Sequence, residues 1–186
     1  MHFSILLLTL AATASAIDIR GWTGNSCIGS YTACTGVNPN ICCEFSQSSS
    51  SNRVSISVTA IPRSWRIQGN SWTGGRCRYI ATSLNSDGAS EICLSYTSRG
   101  DRTGGSYTFL SRKRAEDESC PAEQPDGGRC EASVKPDILG LEDGTVYNIA
   151  GLTDEKVEEL ESIAMTGAGA DAVPAEFEVL SRPTQA

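Results

Sequence analysis

The feature that most constrains this chain is an internal repeat with a period of 50 residues in its first part. The segments that begin at Ile17 and at Ile67 both read I-x4-W-T-G-x2-C, so they end at Cys27 and Cys77. The same offset places Cys43 on Cys93. Self-similarity at a fixed period indicates one structural unit used twice. The fold must therefore accommodate two copies of this unit.

Each repeat has the pattern of short strands joined by glycine-rich turns. The segment 54–58 alternates β-branched residues with serine, which predicts a strand with one buried face and one wet face. The turns at Trp22-Thr23-Gly24 and Trp72-Thr73-Gly74 each place an aromatic ring beside a glycine, which turns the backbone without steric cost. Two four-stranded units of this kind are predicted to pack as one small β-sandwich over residues 17–110.

The N-terminus predicts export from the cell. An apolar run over residues 5–10, followed by small residues up to Ala16, is typical of a secretory signal peptide over residues 1–16, cleaved after Ala16. This run is too short to cross a bilayer, and no later segment approaches the roughly 20 apolar residues that a spanning helix needs. The polar C-terminus lacks the hydrophobic tail of a lipid-anchor signal. The sequence thus predicts a secreted, extracellular protein without a transmembrane segment.

Eight cysteines remain after the predicted cleavage, and an even number in an exported chain predicts a disulfide framework. They are Cys27, Cys34, Cys42, Cys43, Cys77, Cys93, Cys120 and Cys130. Their spacings lack the Cys-x-x-Cys pairs of zinc sites. The only histidine, His2, lies in the leader, which removes mechanisms that need an imidazole base or ligand. We therefore expect no catalytic site and no metal site.

The charges divide the chain near Arg112-Lys113-Arg114. Residues 17–114 carry eleven basic and five acidic side chains, a net charge of +6, whereas residues 115–186 carry four and seventeen, a net charge of −13. The ordinary interpretation is two solvated surfaces, and the sharper one is that the acidic region docks on the basic one. The three basic residues stand near the start of a predicted linker, 111–119. They are either a processing site for a secretory-pathway protease or simply an exposed charged segment.

Residues 120–186 are predicted to form a small acidic α+β extension with one strand and one helix. A turn at Asp143-Gly144 leads into a strand over residues 145–149. Thr153 is a suitable helix cap, and Gly167 is a suitable end. Between them lies an apolar stripe formed by Val157, Leu160, Ile163 and Ala164.

The segment V-T-A-I-P-R-S-W-R-I over residues 58–67, followed by the turn at Trp72, resembles the βγ-crystallin Greek-key motif. In that motif an apolar or aromatic residue precedes a folded hairpin that closes on glycine. The form with paired cysteines is similar to that of small secreted proteins of filamentous fungi. The resemblance covers residues 17–110 and implies an all-β, two-motif Greek-key β-sandwich, with the C-terminal extension outside it.

Within this sandwich the repeat suggests which cysteines pair, because equivalent positions should form equivalent bonds. The suggested pairs are Cys27–Cys43, Cys77–Cys93, Cys34–Cys42 and Cys120–Cys130.

Many βγ-crystallin-like domains bind calcium through a loop of Asn or Asp followed by Ser or Thr. The first repeat offers Asn52 and Ser55 at such places, and the second offers Ser106 with Asp101 nearby. Calcium takes roughly six to eight oxygen ligands, including carboxylates. We therefore expect no cofactor, with calcium as the weaker alternative.

Four arginines, Arg63, Arg66, Arg76 and Arg78, form a candidate basic surface. On a strand, Arg76 and Arg78 would point to one face. Docking against the acidic region or plain solvation is favoured over binding of an anion. Nucleic acid is a poor match for an exported chain with a pI of about 4.7.

These features predict a secreted, non-catalytic, cysteine-rich protein that binds an extracellular macromolecule and is effector-like or toxin-like. The alternative is a structural protein of the cell wall or extracellular matrix. A hydrolase with paired carboxylates is less favoured, because the acidic residues of the basic half are scattered in turn-like settings: Asp18, Glu44, Asp87, Glu91 and Asp101.

Overall fold

The structure is a computed structural model that describes residues 16–45, 53–95, 101–110 and 132–182. Most elements in these ranges are strands, as the alternating segments and glycine-rich turns of the sequence predict. In chain order they are β1 (Ile17–Trp22), β2 (Tyr31–Val37), β3 (Cys42–Glu44), β4 (Ser55–Thr59), β5 (Ile67–Thr73), β6 (Tyr79–Asn85), β7 (Ile92–Leu94), β8 (Gly104–Phe109), β9 (Ser133–Val134), β10 (Ile138–Gly140), β11 (Val146–Asn148) and β12 (Ser181–Arg182). The helices are α1 (Asp154–Met165) and the 3-10 helices Ala170–Ala172 and Ala175–Leu180.

The strands form two sheets. The seven-stranded sheet has the order β12-β11-β10-β2-β1-β4-β7, and the five-stranded sheet has the order β6-β5-β8-β3-β9. One hydrophobic core lies between the inner faces of the two sheets. The predicted all-β sandwich with a small helical part at the C-terminus is therefore confirmed.

The two repeats supply four strands each, β1–β4 and β5–β8, and the two sets match closely in length. In both repeats the fourth strand pairs with the first. The third strand leaves its own repeat, because β3 pairs with β8 of the second repeat and β7 pairs with β4 of the first. Each repeat thus completes its sheet with a strand of the other.

Large side chains of one sheet cover glycines of the other. A Cβ atom on Gly105 would lie 2.4 Å from Ile19 Cγ2 and 3.0 Å from Ile56 Cγ2. A Cβ atom on Gly69 would lie 2.8 Å from Ile92 Cδ1. Because a protein core tolerates neither voids nor overlaps, these glycines are part of the packing between the sheets.

The disulfide pairing differs from the predicted one. The described residues contain the pairs Cys27–Cys93, Cys34–Cys43 and Cys42–Cys77. The predicted pairs Cys27–Cys43, Cys77–Cys93 and Cys34–Cys42 are wrong, and the predicted Cys120–Cys130 pair lies outside the described residues.

The exchange of third strands explains the difference. Since β7 lies in the sheet of the first repeat, Cys27 meets Cys93, and since β3 lies in the sheet of the second, Cys77 meets Cys42. Neighbouring residues of a strand point to opposite faces, so Cys43 faces the core, where it bonds Cys34 of β2. Two disulfides thus join the repeats, although Cys77 bonds Cys42 and not Cys43, the residue that the 50-residue period aligns with Cys93.

Two of the tryptophans form the same hydrogen bond in both repeats. The Nε1 of Trp22 donates to Ser57 Oγ at 2.9 Å, and the Nε1 of Trp72 donates to Ser106 Oγ at 2.8 Å. The third, Trp65, packs against the core with its ring edge-on to that of Phe109. The three rings are thus held by packing or by hydrogen bonds within the sandwich.

The C-terminal region adds more strands than predicted. It contains β11 and α1 as expected, and Gly167 follows the helix with a φ of 74°. It also contains β9, β10 and β12, each of two or three residues, which have no alternation of their own and form on the edges of other strands. Thr153 occupies the N-cap of α1, but its side chain makes no capping hydrogen bond. The strands and helix enclose a second apolar core.

Candidate functional site

The C-terminal region is attached to the first repeat through backbone hydrogen bonds. Strand β10 pairs antiparallel with β2, with Ile138 opposite Ala33 and Gly140 opposite Tyr31. Strand β9 runs parallel to β3. These pairings hold α1 against one end of the sandwich and create a groove between them.

This groove, called here the sandwich–helix groove, has a volume of about 470 Å³. The sandwich contributes Glu44, Phe45 and Arg76. The C-terminal region contributes Lys135, Pro136, Ile149, Gly151, Leu152, Asp154, Val157, Glu158 and Glu161. A concave surface of this size with an apolar part and a few polar groups is typical of a binding site.

A buried ion pair connects α1 to the sandwich beneath the groove. The Nη2 of Arg53 lies 2.9 Å from Glu161 Oε1, and the two side chains are 1% and 2% exposed. The Nε of Arg53 also donates to Thr32 Oγ1 on β2 at 3.1 Å. Burial lowers the pKa of Arg53, and the negative charge of Glu161 opposes that shift. A charge is stable at this depth only when it is paired and hydrogen-bonded.

The second carboxylate oxygen of Glu161 could accept a further hydrogen bond. Glu161 Oε2 is buried and has no hydrogen-bond partner in the part of the chain that the structure describes. The same side chain lines the sandwich–helix groove. A buried carboxylate oxygen without a donor loses hydration that nothing replaces, so a donor that enters the groove would be stabilised there.

The rim of the groove carries charges of both signs. Lys135 Nζ lies 2.8 Å from Asp154 Oδ1, and both side chains are largely exposed, so the pair contributes little to stability. The hydrogen bond and charge of Asp154 raise the pKa of Lys135. Four acidic residues line the groove against two basic ones, and Arg53 neutralises one of the four, Glu161. The remaining excess of negative charge favours a positively charged ligand.

The apolar part of the groove is formed by the side chains of Phe45, Ile149, Leu152 and Val157. Phe45 and Ile149 are almost fully buried. The ring of Phe45 also packs closely against Gly21, because a Cβ atom on Gly21 would lie only 3.0 Å from the ring. The apolar wall is therefore continuous with the packed interior and is preformed.

A second, smaller cavity of about 390 Å³ lies beside the disulfide at Cys34 and shares Lys135 with the first. Thr35 and Asp137 line it, and the backbone N–H of Thr35 donates to Asp137 Oδ1 at 2.9 Å. Its polar groups are thus engaged with each other, and it offers less to a ligand than the sandwich–helix groove.

The four predicted arginines fall into two pairs at opposite ends of β5. Arg63 and Arg66 precede the strand, and Arg66 Nη1 donates to the carbonyl of Arg63. Arg76 and Arg78 follow it, and the seven residues of β5 span about 20 Å.

Arg76 and Arg78 do not share a strand face. Arg76 and Cys77 have φ angles of 47° and 48°, so this segment is a turn rather than a strand, and the predicted alternation is wrong there. Arg76 lines the sandwich–helix groove, whereas the guanidinium of Arg78 lies over the ring of Tyr79. Only Arg76 is therefore part of the candidate site.

Two of the candidate calcium residues, Ser55 and Ser106, lie on strands rather than in a loop. Ser55 lies on β4, where its hydroxyl donates to the carbonyl of Gly24 and accepts from the N–H of Cys27. Asn52 lies outside the described residues, as do Arg112, Lys113 and Arg114. Within the described ranges, no group of three or more His, Cys, Asp or Glu side chains is arranged to hold a metal ion.

The carboxylates considered for hydrolysis occupy different elements. Asp18 on β1 accepts from the N–H of Gly36, and Asp101 accepts from the hydroxyl of Thr73. Glu44 lines the sandwich–helix groove, whereas Asp87 and Glu91 do not.

Sequence reasoning missed the ion pair between Arg53 and Glu161. A signal was present, because Glu161 falls on the apolar stripe of α1 between Leu160 and Ala164. A charged residue on the buried stripe of a helix needs a partner. The identity of that partner required the tertiary structure, since Arg53 is 108 residues away.

Comparison with known proteins identifies related sequences. Residues 18–137 match the ARB_05566_N family model, described as an N-terminal domain. A protein of Arthroderma benhamiae named "Uncharacterized secreted protein" is 24% identical over 173 residues, which cover 91% of this chain and 87% of that protein. No solved structure matches the chain.

The secreted relative and the disulfides agree that the protein is secreted and extracellular. Within the described ranges, no helix has the length and apolar character to cross a membrane.

Proposed function

The chain belongs to the ARB_05566_N family, and we propose that it is a non-catalytic protein that binds an extracellular partner through the sandwich–helix groove. The observation that carries the proposal is the buried, unpaired Oε2 atom of Glu161 beside an apolar wall. A site with these properties binds a group that has both a donor and an apolar stem.

The chemistry of the lining specifies the class of ligand. A lysine side chain has an ammonium group with three donors on a stem of methylene groups. The stem would lie along Leu152 and Val157, and the ammonium group would reach Glu158 and Glu161. A carboxylate ligand would instead approach the three carboxylates of α1 that line the groove and be repelled.

The first experiment tests this ligand class. The mature protein would be titrated with a short neutral peptide that carries one lysine between leucines, and amide chemical shifts would be followed by NMR. We expect shifts at Leu152, Val157 and Glu158, and none with the matched peptide in which glutamate replaces lysine.

Variants at the rim provide the control. Glu158→Gln should weaken binding of the lysine peptide several-fold, whereas Glu178→Gln should leave it unchanged, because Glu178 is exposed and does not line the groove. Equal binding of both peptides, or shifts confined to other surfaces, would contradict the proposal.

The proposed biological role is that of an effector-like or toxin-like protein acting at the cell exterior. Labelled mature protein would be added to plant and microbial cells, and binding and cell death would be recorded for the native chain and for Glu158→Gln. Binding or killing that the substitution reduces supports the role.

A structural role in the wall or matrix is the second candidate, favoured by the two disulfides that join the repeats. It predicts retention on isolated wall material that Glu158→Gln does not change. Turnover of a polysaccharide by the mature chain would instead support a hydrolase.

We also propose that the sandwich is of the βγ-crystallin type. In support, each repeat places its fourth strand beside its first, as a Greek key does. A crystal structure that superposes both repeats on a βγ-crystallin motif would test this.

A further inference from the structure

Met165 is the single methionine that remains after the predicted cleavage, because the other methionine, Met1, lies in the leader. It is the last residue of α1, and its side chain is only partly buried, so small molecules in the solvent can reach it. Oxidation of the methionine thioether to the sulfoxide is a common modification of this residue type. In the mature chain, such a modification can occur at this one place.

The sulfur of Met165 contacts the guanidinium group that connects α1 to the sandwich. The Nη1 of Arg53 donates to Met165 Sδ at 3.5 Å, and the Nη2 of the same group donates to Glu161 Oε1 at 2.9 Å. Glu161 and Met165 are four residues apart, so they share one face of the helix. The helix thus binds the guanidinium group through a carboxylate and a thioether, and the thioether is the weaker acceptor.

Oxidation changes the chemistry of the weaker contact. When hydrogen peroxide is the oxidant, the sulfur lone pair forms a bond to one oxygen, the O–O bond breaks, and the other oxygen leaves as water with both protons. The methionine loses two electrons, and the peroxide gains them. The thioether becomes a polar sulfoxide, whose oxygen is a stronger hydrogen-bond acceptor than the sulfur it replaces.

The surroundings of Met165 allow this change without damage to the apolar core. In the part of the chain that the structure describes, the second apolar core contains Leu160, Ile163 and Ala164 of α1 but not Met165. A sulfoxide is disruptive where it replaces a packed apolar side chain, which is not the setting here. The side chain of Arg53, in contrast, is 1% exposed, so its charge depends on the acceptors that the protein provides.

We propose that Met165 is an oxidation site, at which a peroxide converts a weak acceptor for Arg53 into a strong one and so tightens the attachment of α1 to the sandwich. In the oxidised protein, two residues of α1 each offer an oxygen to the same guanidinium group. Methionine sulfoxide reductases reverse the change, because they restore the thioether. The site does not depend on a ligand in the sandwich–helix groove.

The first test uses the native mature protein. It would be treated with hydrogen peroxide, and mass spectrometry of its peptides would locate each added oxygen. We expect addition at Met165 before any other residue. The unfolding equilibrium constant from urea denaturation should then fall by about fivefold, because hydrogen bonds to a charged group are stronger than neutral ones. Treatment with methionine sulfoxide reductases should restore the original value.

Variants separate this effect from oxidation elsewhere in the chain. Met165→Leu keeps an apolar side chain but has no sulfur, so peroxide should leave its stability unchanged. Met165→Gln supplies an amide oxygen without oxidation and should be more stable than Met165→Leu. The proposal is overturned if no oxygen is added at Met165, or if the oxidised native protein is not more stable than the untreated one. An equal response of Met165→Leu to peroxide would also overturn it, because the effect would then come from another residue.

Discussion

The second strands of the two repeats, β2 and β6, occupy equivalent places but have different surroundings. In β2 most side chains are buried, and Ala33 and Cys34 are almost inaccessible. In β6 no residue is buried. The two strands have the same length and the same antiparallel partner within their repeats, β1 and β5. What differs in the described residues is the C-terminal region, whose strand β10 pairs with β2 and not with β6.

This comparison separates what duplication provides from what was added to it. The repeated parts are the strand order, the disulfides between repeats and the tryptophan–serine hydrogen bonds. The added parts are the cover on β2 and the sandwich–helix groove that the cover creates. The sandwich–helix groove thus lies where the two repeats have become different.

The largest effect is expected at the ion pair that fastens the cover to the first repeat. Glu161→Leu would leave Arg53 buried without this carboxylate and should lower the free energy of unfolding by about 3–5 kcal/mol, measured by urea denaturation. Arg53→Met with Glu161→Leu should recover most of the loss, because well-packed apolar replacements of a buried pair are often neutral. Equal losses in the single and double variants would show that the charge itself matters little.

Removal of disulfides tests whether the repeats depend on each other. Serine at both Cys27 and Cys93 opens a loop of 66 residues and should reduce stability by about 4 kcal/mol. Serine at both Cys34 and Cys43 opens a loop of 9 residues and should reduce it by about 2.5 kcal/mol. Thermal unfolding of the two variants checks the order, and peptide mapping of the unreduced protein checks the pairs.

The disulfides also show how far the sequence predicts the fold. The period of 50 residues correctly predicts two equivalent four-stranded units in one sandwich and equivalent roles for Cys27 and Cys77. It does not reveal that β3 and β7 change sheets, because a repeat in sequence describes one unit and not how two units share strands. The wrong pairing of Cys27 with Cys43 follows directly from that missing information.

The candidate site was harder to predict than the fold. The sequence shows both the charge asymmetry and the position of Glu161 on the apolar stripe of α1. The groove, however, lies between segments that are far apart in the sequence, such as those of Phe45 and Val157. The predicted arginines contributed only Arg76. Residues that are distant in sequence and have no repeat or motif to link them can be brought together only by the tertiary structure.

Packing between the sheets is expected to tolerate less change at Gly105 than at Gly69. An alanine methyl at Gly105 would lie 2.4 Å from Ile19 Cγ2, against 2.8 Å to Ile92 Cδ1 at Gly69. We expect Gly105→Ala to reduce stability by about 1–3 kcal/mol and Gly69→Ala by less. Ile19→Leu, which lacks the Cγ2 methyl, should recover part of the loss in Gly105→Ala but none in Gly69→Ala, which a double-mutant cycle from urea denaturation would show.

The repeats should also respond differently to alkaline pH. Burial raises the pKa of Tyr107 to about 12, and its hydroxyl donates to the carbonyl of Val37 at 3.0 Å. An unfolded tyrosine has a pKa of about 10, so the native state holds this proton more tightly than the unfolded state does. Stability is therefore fully present below about pH 10 and is lost as the pH rises through the native pKa.

Substitution tests that dependence. Tyr107→Phe should reduce the decrease of the melting temperature at alkaline pH, whereas Tyr79→Phe, at an exposed tyrosine, should not. In the first repeat the residue that corresponds to Tyr107 is Val58, since it follows Ser57 as Tyr107 follows Ser106. Valine does not ionise, so the expected pH effect belongs to the second repeat. An identical pH profile for native and Tyr107→Phe proteins would contradict it.

The smallest effect is expected at the hydrogen bonds that the repeats share. Ser106→Ala would leave the Nε1 of Trp72 without its acceptor, and because Trp72 is almost fully buried, water does not replace it. We expect a loss of about 1 kcal/mol. Ser57→Ala removes the same bond from Trp22, which is only partly buried, so water can hydrate the indole and the loss should be about half as large. The two hydrogen bonds agree in length within 0.1 Å. A difference between the two variants in the free energy of unfolding, measured by urea denaturation, would therefore report the effect of burial alone. Equal losses would show that the repeats are alike at this site too.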